Sequence, residues 1–260
     1  MPHAVKVAFF ALAVAGFGAL AASCGNGNAQ YRIVNAIANT SLLDPNGLAL
    51  YMNGSSVWTN VAFAQTEPSS AGKYQNISGG TDTLDVYKEA SAGQGGDQII
   101  SSGLDLSGNT QTTVVLIGNE STKPAAQKFT DNNTTQPTSG NAEFRIINAS
   151  PVTQNVNGVD VYILPSGTTP STPNAPKINS SALTFSINNS SFIPYTNVGL
   201  PASNSLNVYV TAHGQTGIYA NPFPLAVSGL TGGTSIRTIV ITDTSPGTAP
   251  PLLQVLTDVN

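Results

Sequence analysis

At 260 residues the chain has room for two ordinary domains and their connections. Only 8% of its residues are charged, against about 25% in an average soluble domain, yet 40% are hydrophobic, enough to build cores. The net charge is −4 and Lys and Arg never run together, which excludes the clustered positive charge that nucleic acid or anionic headgroups require.

The N-terminal stretch MPHAVKVAFFALAVAGFGALAASC opens with Lys6 and continues as an uncharged apolar run of 14 residues, Val7–Leu20. That length fits the apolar region of a secretory signal and falls short of the roughly 20 residues of a spanning helix. Leu20-Ala21-Ala22-Ser23-Cys24 resembles a bacterial lipobox, although Ala21 stands where leucine is commonest. The resemblance implies a signal peptide over residues 1–23 and a lipidated mature N-terminus at Cys24. Cys24 is the single cysteine, so no disulfide can form within the chain, and acylation would remove an unpaired thiol from an oxidising compartment. Each buried acyl methylene contributes about 0.8 kcal/mol to anchoring. Loss of Lys6 leaves a mature net charge of −5. Residues 24–30 form the lipidated tether, whose Gly25–Gln30 part reaches roughly 20 Å when extended. Gly25 in place of Asp favours the outer membrane or cell surface as the destination.

Beyond the tether the chain repeats itself. YRIVNA (Tyr31–Ala36) returns as FRIINA (Phe144–Ala149), LALY (Leu48–Tyr51) as VDVY (Val159–Tyr162), and YQNI (Tyr74–Ile77) as YTNV (Tyr195–Val198). LDVY (Leu84–Tyr87) returns as LNVY (Leu206–Tyr209), and SGL (Ser102–Leu104) as Ser228–Leu230. TTVVLI (Thr112–Ile117) matches IRTIVI (Ile236–Ile241), and QKFTDNN (Gln127–Asn133) matches QVLTDVN (Gln254–Asn260). Ordered self-similarity of this kind marks duplicated units. The expected repeats are 31–132 and 142–260, joined by a linker over 133–141.

Each repeat reads as β. Its matched segments are short, rich in Val, Ile, Leu, Thr and Tyr, and bounded by Gly, Asn, Pro and Ser. In Leu84-Asp85-Val86-Tyr87, Leu84 and Val86 share one face and Asp85 and Tyr87 the other. Asn53-Gly54 is a tight-hairpin signal. No stretch of the mature chain carries a 3.6-residue apolar period. About seven strands per repeat predict an all-β architecture of two tandem, immunoglobulin-like sandwiches.

The pattern RIVNAIANT or RIINASPVT, then a hydrophobic-x-hydrophobic-Tyr strand and a closing LTD, resembles the domain-of-unknown-function family 4397. The resemblance covers both repeats and implies a secreted bacterial protein, often with tandem domains behind a lipobox. It carries no catalytic residue across. Leu42-Leu43-Asp44 departs from the short polar bend usual after the family's first strand.

Signals for chemistry are sparse. After signal removal His213 is the only histidine, read as a loop residue, and no G-x-S-x-G elbow accompanies it. One histidine and a lipidated cysteine cannot hold zinc without several carboxylates. Asp44-Pro45-Asn46-Gly47 reads as a turn, and Gly93–Asp97 as a hairpin loop, in preference to calcium sites. No phosphate loop is present, and no cofactor is expected.

Three features invite sharper hypotheses. Tyr51, Tyr87, Tyr162 and Tyr209 end their strands on the face of Asp85, Asp160 and Asn207. Such a face could form a glycan platform, offering stacking area and hydrogen bonds; the plainer reading has the rings covering a sheet edge or packing between domains. The insertion Ser166–Lys177 has only the turn Asn53–Ser56 as its counterpart, and is either tolerated or functional. Trp58, the sole tryptophan, reads as a core ring. The expected function is a non-catalytic, membrane-anchored envelope module with an envelope-protein or glycan partner. A hydrolase with an unrecognised site is the alternative, and it would show a cleft of clustered ionisable groups.

Overall fold

The computed structural model describes residues 27–38, 47–69, 73–88, 97–119, 122–131, 135–170, 176–187, 191–215, 217, 219, 225–245 and 248–259. The signal segment 1–23, Cys24, the Leu42-Leu43-Asp44 bend, Gly93–Gly96 and part of the 166–177 insertion lie outside the described residues.

The first half supplies β1 (Asn28–Ala38), β2 (Leu48–Met52), β3 (Ser55–Val61), β4 (Thr66–Glu67), β5 (Gln75–Ser78), β6 (Gly80–Lys88), β7 (Gln98–Leu106), β8 (Gln111–Asn119) and β9 (Thr122–Asp131). One sheet runs β4-β1-β8-β9, with β5 also on β1; the other runs β3-β2-β6-β7. The second half supplies β10 (Asn141–Asn148), β11 (Val159–Pro165), β12 (Phe192–Gly199), β13 (Leu206–Ala212), β14 (Leu225–Val227), β15 (Ile236–Ser245) and β16 (Thr248–Val259). These form sheets β12-β10-β15-β16 and β11-β13-β14. The architecture is all-β, two sheets to each half, as the sequence predicts. The connectivity departs from the immunoglobulin order, because the first strand of each half lies parallel to its penultimate one, β1 to β8 and β10 to β15.

Alternating side chains build a core between the sheets of each half. Ile33, Leu50, Leu84, Val86, Val114 and Leu116 meet in the first; Phe144, Ile146, Val161, Val208, Ile239 and Ile241 meet in the second. Asn53 and Gly54 both take positive φ, 52° and 75°, and close the β2–β3 hairpin with Met52 opposite Ser55. Two positive-φ residues are what a primed two-residue turn needs, and Asn-Gly supplies them at least cost. A 3-10 turn, Pro151–Val156, follows β10.

The matched asparagines of RIVNA and FRIINA do matched work. Asn35 Nδ2 donates to Val61 and Ala62 carbonyls at 3.0 and 3.1 Å, and Asn148 Nδ2 donates to the Leu183 carbonyl at 3.0 Å. Each pins the segment that borders the opposite sheet. The structure shifts one sequence match by a residue. Arg32 stands opposite Thr113 and Arg145 opposite Thr238, so Thr113 corresponds to Thr238, not to Arg237 as the TTVVLI–IRTIVI match has it. A one-residue slip exchanges the two faces of a strand, and both strings are apolar enough to match at either offset.

Candidate functional site

In β1 and β10 both faces are buried, which alternation alone does not require. The second faces meet each other: Val34, Ala36, Val115, Ile117 and Phe129 of the first half form one cluster with Ile147, Ala149, Phe185, Val240 and Leu256 of the second. The two inner sheets therefore pack back to back, and the seam between them holds four buried charges.

The chemistry of this seam is duplicated. Arg32 Nε donates to Thr113 Oγ1 at 2.9 Å, its Nη1 to the Thr257 carbonyl at 3.0 Å, and its Nη2 to Asp258. Arg145 Nε donates to Thr238 Oγ1 at 3.1 Å, its Nη1 to the Thr130 carbonyl at 3.0 Å, and its Nη2 to Asp131. Each arginine thus holds its own half's threonine and crosses to the other half's aspartate. Thr113 donates to Asp131 at 2.7 Å, and Thr238 to Asp258 at 2.7 Å. Tyr74 donates to Asp131 at 2.8 Å and Tyr195 to Asp258 at 3.0 Å; each ring lies 4.7 Å from a guanidinium, Arg32 and Arg145 respectively. Gln254 Nε2 reaches the Ala64 carbonyl at 2.6 Å, and Gln127 Nε2 the Ile187 carbonyl at 2.7 Å.

Arg32 and Arg145 are only 1% and 2% exposed, and both aspartate side chains are fully buried. Burial opposes the charge on Arg32, but Asp258 and Asp131 more than reverse that and raise its pKa. Burial, aided by Asp131, pushes the Asp258 carboxyl above its ordinary range against the pull of Arg32. Burial and the neighbouring carboxylates also raise Tyr74 and Tyr195, which stay protonated donors. The set is neutral overall, its four charges buried and its two tyrosines half-buried, and it joins the two bodies.

The tyrosine face is placed as alternation predicts but is not open. Tyr162 and Tyr209 lie opposite each other in β11 and β13, buried together with Leu164. The Tyr209 hydroxyl donates to the Thr168 carbonyl at 2.6 Å, and Pro170 is buried. The start of the 166–177 insertion therefore folds over this face and removes it from the proposed surface contacts. Asp160 is also covered, at 1% exposure. It accepts from His213 Nδ1 at 2.9 Å, the Gly214 amide at 3.0 Å, Lys177 Nζ at 3.1 Å and Asn179 Nδ2 at 3.2 Å. Burial works against its ionisation, yet the Gly214 amide, His213 and Lys177 hold its pKa below the usual carboxylate value. His213 sits in the turn after β13 as expected, with a partner that spacing did not reveal.

In the first half Tyr51 is buried edge-on against Tyr87, ring centroids 5.3 Å apart at 78°. Tyr87 and Asp85 remain half-buried, and Gln98 Nε2 donates to Asp85 at 2.8 Å. Of the six predicted surface residues, Tyr87 and Asp85 alone keep an open side. Alternation says which face a ring occupies; it cannot say whether a distant loop lies across that face. Trp58 stands at the margin of the core, half-buried and edge-on to Tyr31 at 5.6 Å.

Cavities open between elements at three places among the described residues. One of about 320 Å³ borders the seam beside Arg32, Gln65, Lys73 and Gln254. One of about 330 Å³ lies between β7 and β9, beside Gln98, Ser101 and Lys123, and one of about 390 Å³ between β14 and β16, beside Arg237. Their charged lining is cationic throughout. Among the described residues no group of three or more His, Cys, Asp and Glu side chains could hold a metal, and no helix is long and apolar enough to cross a membrane.

These features define an all-β protein of two sandwiches joined through a polar seam. The chain belongs to the family described as Domain of unknown function (DUF4397), whose model matches residues 27–162: the whole first half, then β10 and the start of β11. No curated protein matches it. Among solved structures, an alpha-glucan-binding streptococcal virulence factor aligns at 10% identity over 88% of this chain and 97% of its own, with a TM-score of 0.29. The family 26 carbohydrate-binding module of Eubacterium rectale Amy13K, in complex with maltoheptaose, aligns at 10% identity over 87% and 95%, with a TM-score of 0.24. Superpositions this loose have no bearing on function.

Proposed function

We propose that the chain is a non-catalytic cell-envelope module: exported, acylated at Cys24, and presenting two sandwiches as one rigid body on a short tether. The observation that carries this reading is the seam. In a chain with 9 Lys and Arg and 13 Asp and Glu, two arginines and two aspartates are sealed between the halves. Relative motion of the halves would pull Arg32 from Asp258 and Arg145 from Asp131, and breaking buried pairs is strongly unfavourable. A body of fixed shape suits display, spacing or docking at a surface. Fractionation and mass spectrometry of the mature N-terminus test the anchor. A diacylated or triacylated Cys24, and release of a Cys24→Ser variant from membranes, are expected; an unmodified Cys24, or a Cys24→Ser variant still in the membrane, refutes anchoring.

A glycan-binding surface is the second reading, narrowed to the first half. There Tyr87, Asp85 and Gln98 present a partly open ring beside hydrogen-bonding groups. A glycan array probed with the soluble Gly25–Asn260 fragment, with and without Tyr87→Ser, decides it. Binding that the substitution leaves unaltered removes this patch from consideration.

A further inference from the structure

The seam has a property beyond rigidity, and it does not depend on where the chain resides. Arg32 reaches Asp258 while Arg145 reaches Asp131, and the sequence matches make Arg32 equivalent to Arg145 and Asp131 to Asp258. Position a of one half thus meets position b of the other, and b meets a. That reciprocity defines an isologous, two-fold interface, in which each face is complementary to a copy of itself. The supporting groups obey the same exchange: Thr113 with Thr238, Tyr74 with Tyr195, Gln127 with Gln254. The apolar contacts correspond as well, Val34 to Ile147 and Phe129 to Leu256, around the shared pairs Ala36–Ala149 and Val115–Val240, with Ile117 answered by the polar Thr242 as the exception.

We propose that the seam is a homodimer interface enclosed within one chain, and that its partner outside the chain is a second copy of the same protein, pairing like half with like half. In a pair of first halves, Arg32 of each copy meets Asp131 of the other; in a pair of second halves, Arg145 meets Asp258. No charge is left unpaired in either arrangement. The covalent link favours internal closure by raising the effective concentration of the other half. Severing or opposing that closure exposes the self-pairing.

A protease site placed between Thr135 and Gly140 of the full-length protein provides the test. After cleavage of the folded chain and incubation just below its melting transition, native mass spectrometry reads the pairs. Complexes of two first-half fragments and of two second-half fragments are expected beside the original cross-pair, approaching 1:2:1. Persistence of the cross-pair alone, or fragments that separate and stay single, overturns the proposal. The intact chain gives a second reading through Arg32→Asp combined with Asp131→Arg. This exchange sets like charges together inside the chain but keeps opposite charges together between like halves. The double variant is expected to elute as a dimer and to return to monomer when Arg145→Asp and Asp258→Arg are added; a monomeric or aggregated double variant counts against it.

Discussion

Along β1 the side chains facing the seam are Arg32, Val34 and Ala36; along β10 and in the residue after it they are Arg145, Ile147 and Ala149. The outer sheets diverge instead. In the first half β2 is flanked by the hairpin strand β3 and its sheet ends in the nine-residue β7, whereas among the described residues of the second no strand occupies the β3 place and the edge strand β14 has three residues. That place is taken by 178–183, where the Ile178 amide donates to Val161 and residue 183 bridges to residue 159. Sides that must fit each other are constrained at every position, because a change on one leaves a buried group on the other unpaired. Sides that face water or a private loop are free to drift. The contrast locates structural constraint in the inner sheets and any divergent surface role in the outer ones.

The largest effect expected from this contrast is at the seam. Arg145→Met or Arg32→Met strands a buried aspartate and should cost about 3–5 kcal/mol of stability in urea denaturation. Replacing all four charges together, Arg32→Met, Arg145→Met, Asp131→Leu and Asp258→Leu, should restore part of that loss, since no ion is left unpaired, while Thr113 and Thr238 lose their acceptors. If a single arginine variant loses less than about 1 kcal/mol, the seam is not the rigid joint described.

The outer sheets should respond unequally. Tyr162→Ala empties a site sealed by Leu164, Tyr209 and the insertion, and a buried aromatic lost in this way costs about 3–5 kcal/mol at the upper end. Tyr87→Ala removes a half-buried ring and should cost about 1 kcal/mol. Equal losses at the two positions would contradict the covered-versus-open distinction.

Much of this was legible in advance. The all-β class followed from short β-branched segments between turn residues, and Asn53-Gly54 marked its hairpin outright. Alternation places the buried tyrosines on the face away from the core, because period two is a property of the strand itself. Their cover was not legible, since it comes from residues beyond the strand whose path no local pattern encodes. The seam does leave a trace in the sequence. Both RIVNA and FRIINA carry an arginine inside an apolar strand, and both copies of the last matched segment carry Thr-Asp. Matched charges of opposite sign, at fixed places in two repeats of a chain poor in charge, imply a mutual partner. The His213–Asp160 contact left no such trace, because Asp160 lies on β11 and His213 in the turn after its neighbour β13, and only the fold reveals their register.

Asp160 should show an intermediate, acid-sensitive effect. Its folded pKa lies below the unfolded value near 4, so its contribution is complete above that pH and is lost as pH falls through the lowered folded value. Asp160→Asn should cost about 1.5–3 kcal/mol at neutral pH through its charge-assisted hydrogen bonds. The variant should also lose less stability than the parent between pH 4 and pH 2. Parallel acid profiles would remove Asp160 as their source.

The smallest effect is expected at the two seam tyrosines, and it separates the hydroxyl from the ring. Tyr74→Phe and Tyr195→Phe keep the ring over the guanidinium and delete one hydrogen bond each, worth about 0.5–1.5 kcal/mol. Because both folded pKa values are raised, stability is undiminished below the unfolded tyrosine value near 10 and declines as pH rises above it, where the unfolded chain ionises and the folded one does not. The double Phe variant should therefore start lower at pH 7 and fall less steeply between pH 10 and pH 11.5. Since Tyr74 and Tyr195 are equivalent across the pseudo-dyad, each single variant should supply about half of that change in slope. A large effect at one and none at the other would show that the two sides of the seam, alike in geometry, are unlike in energy.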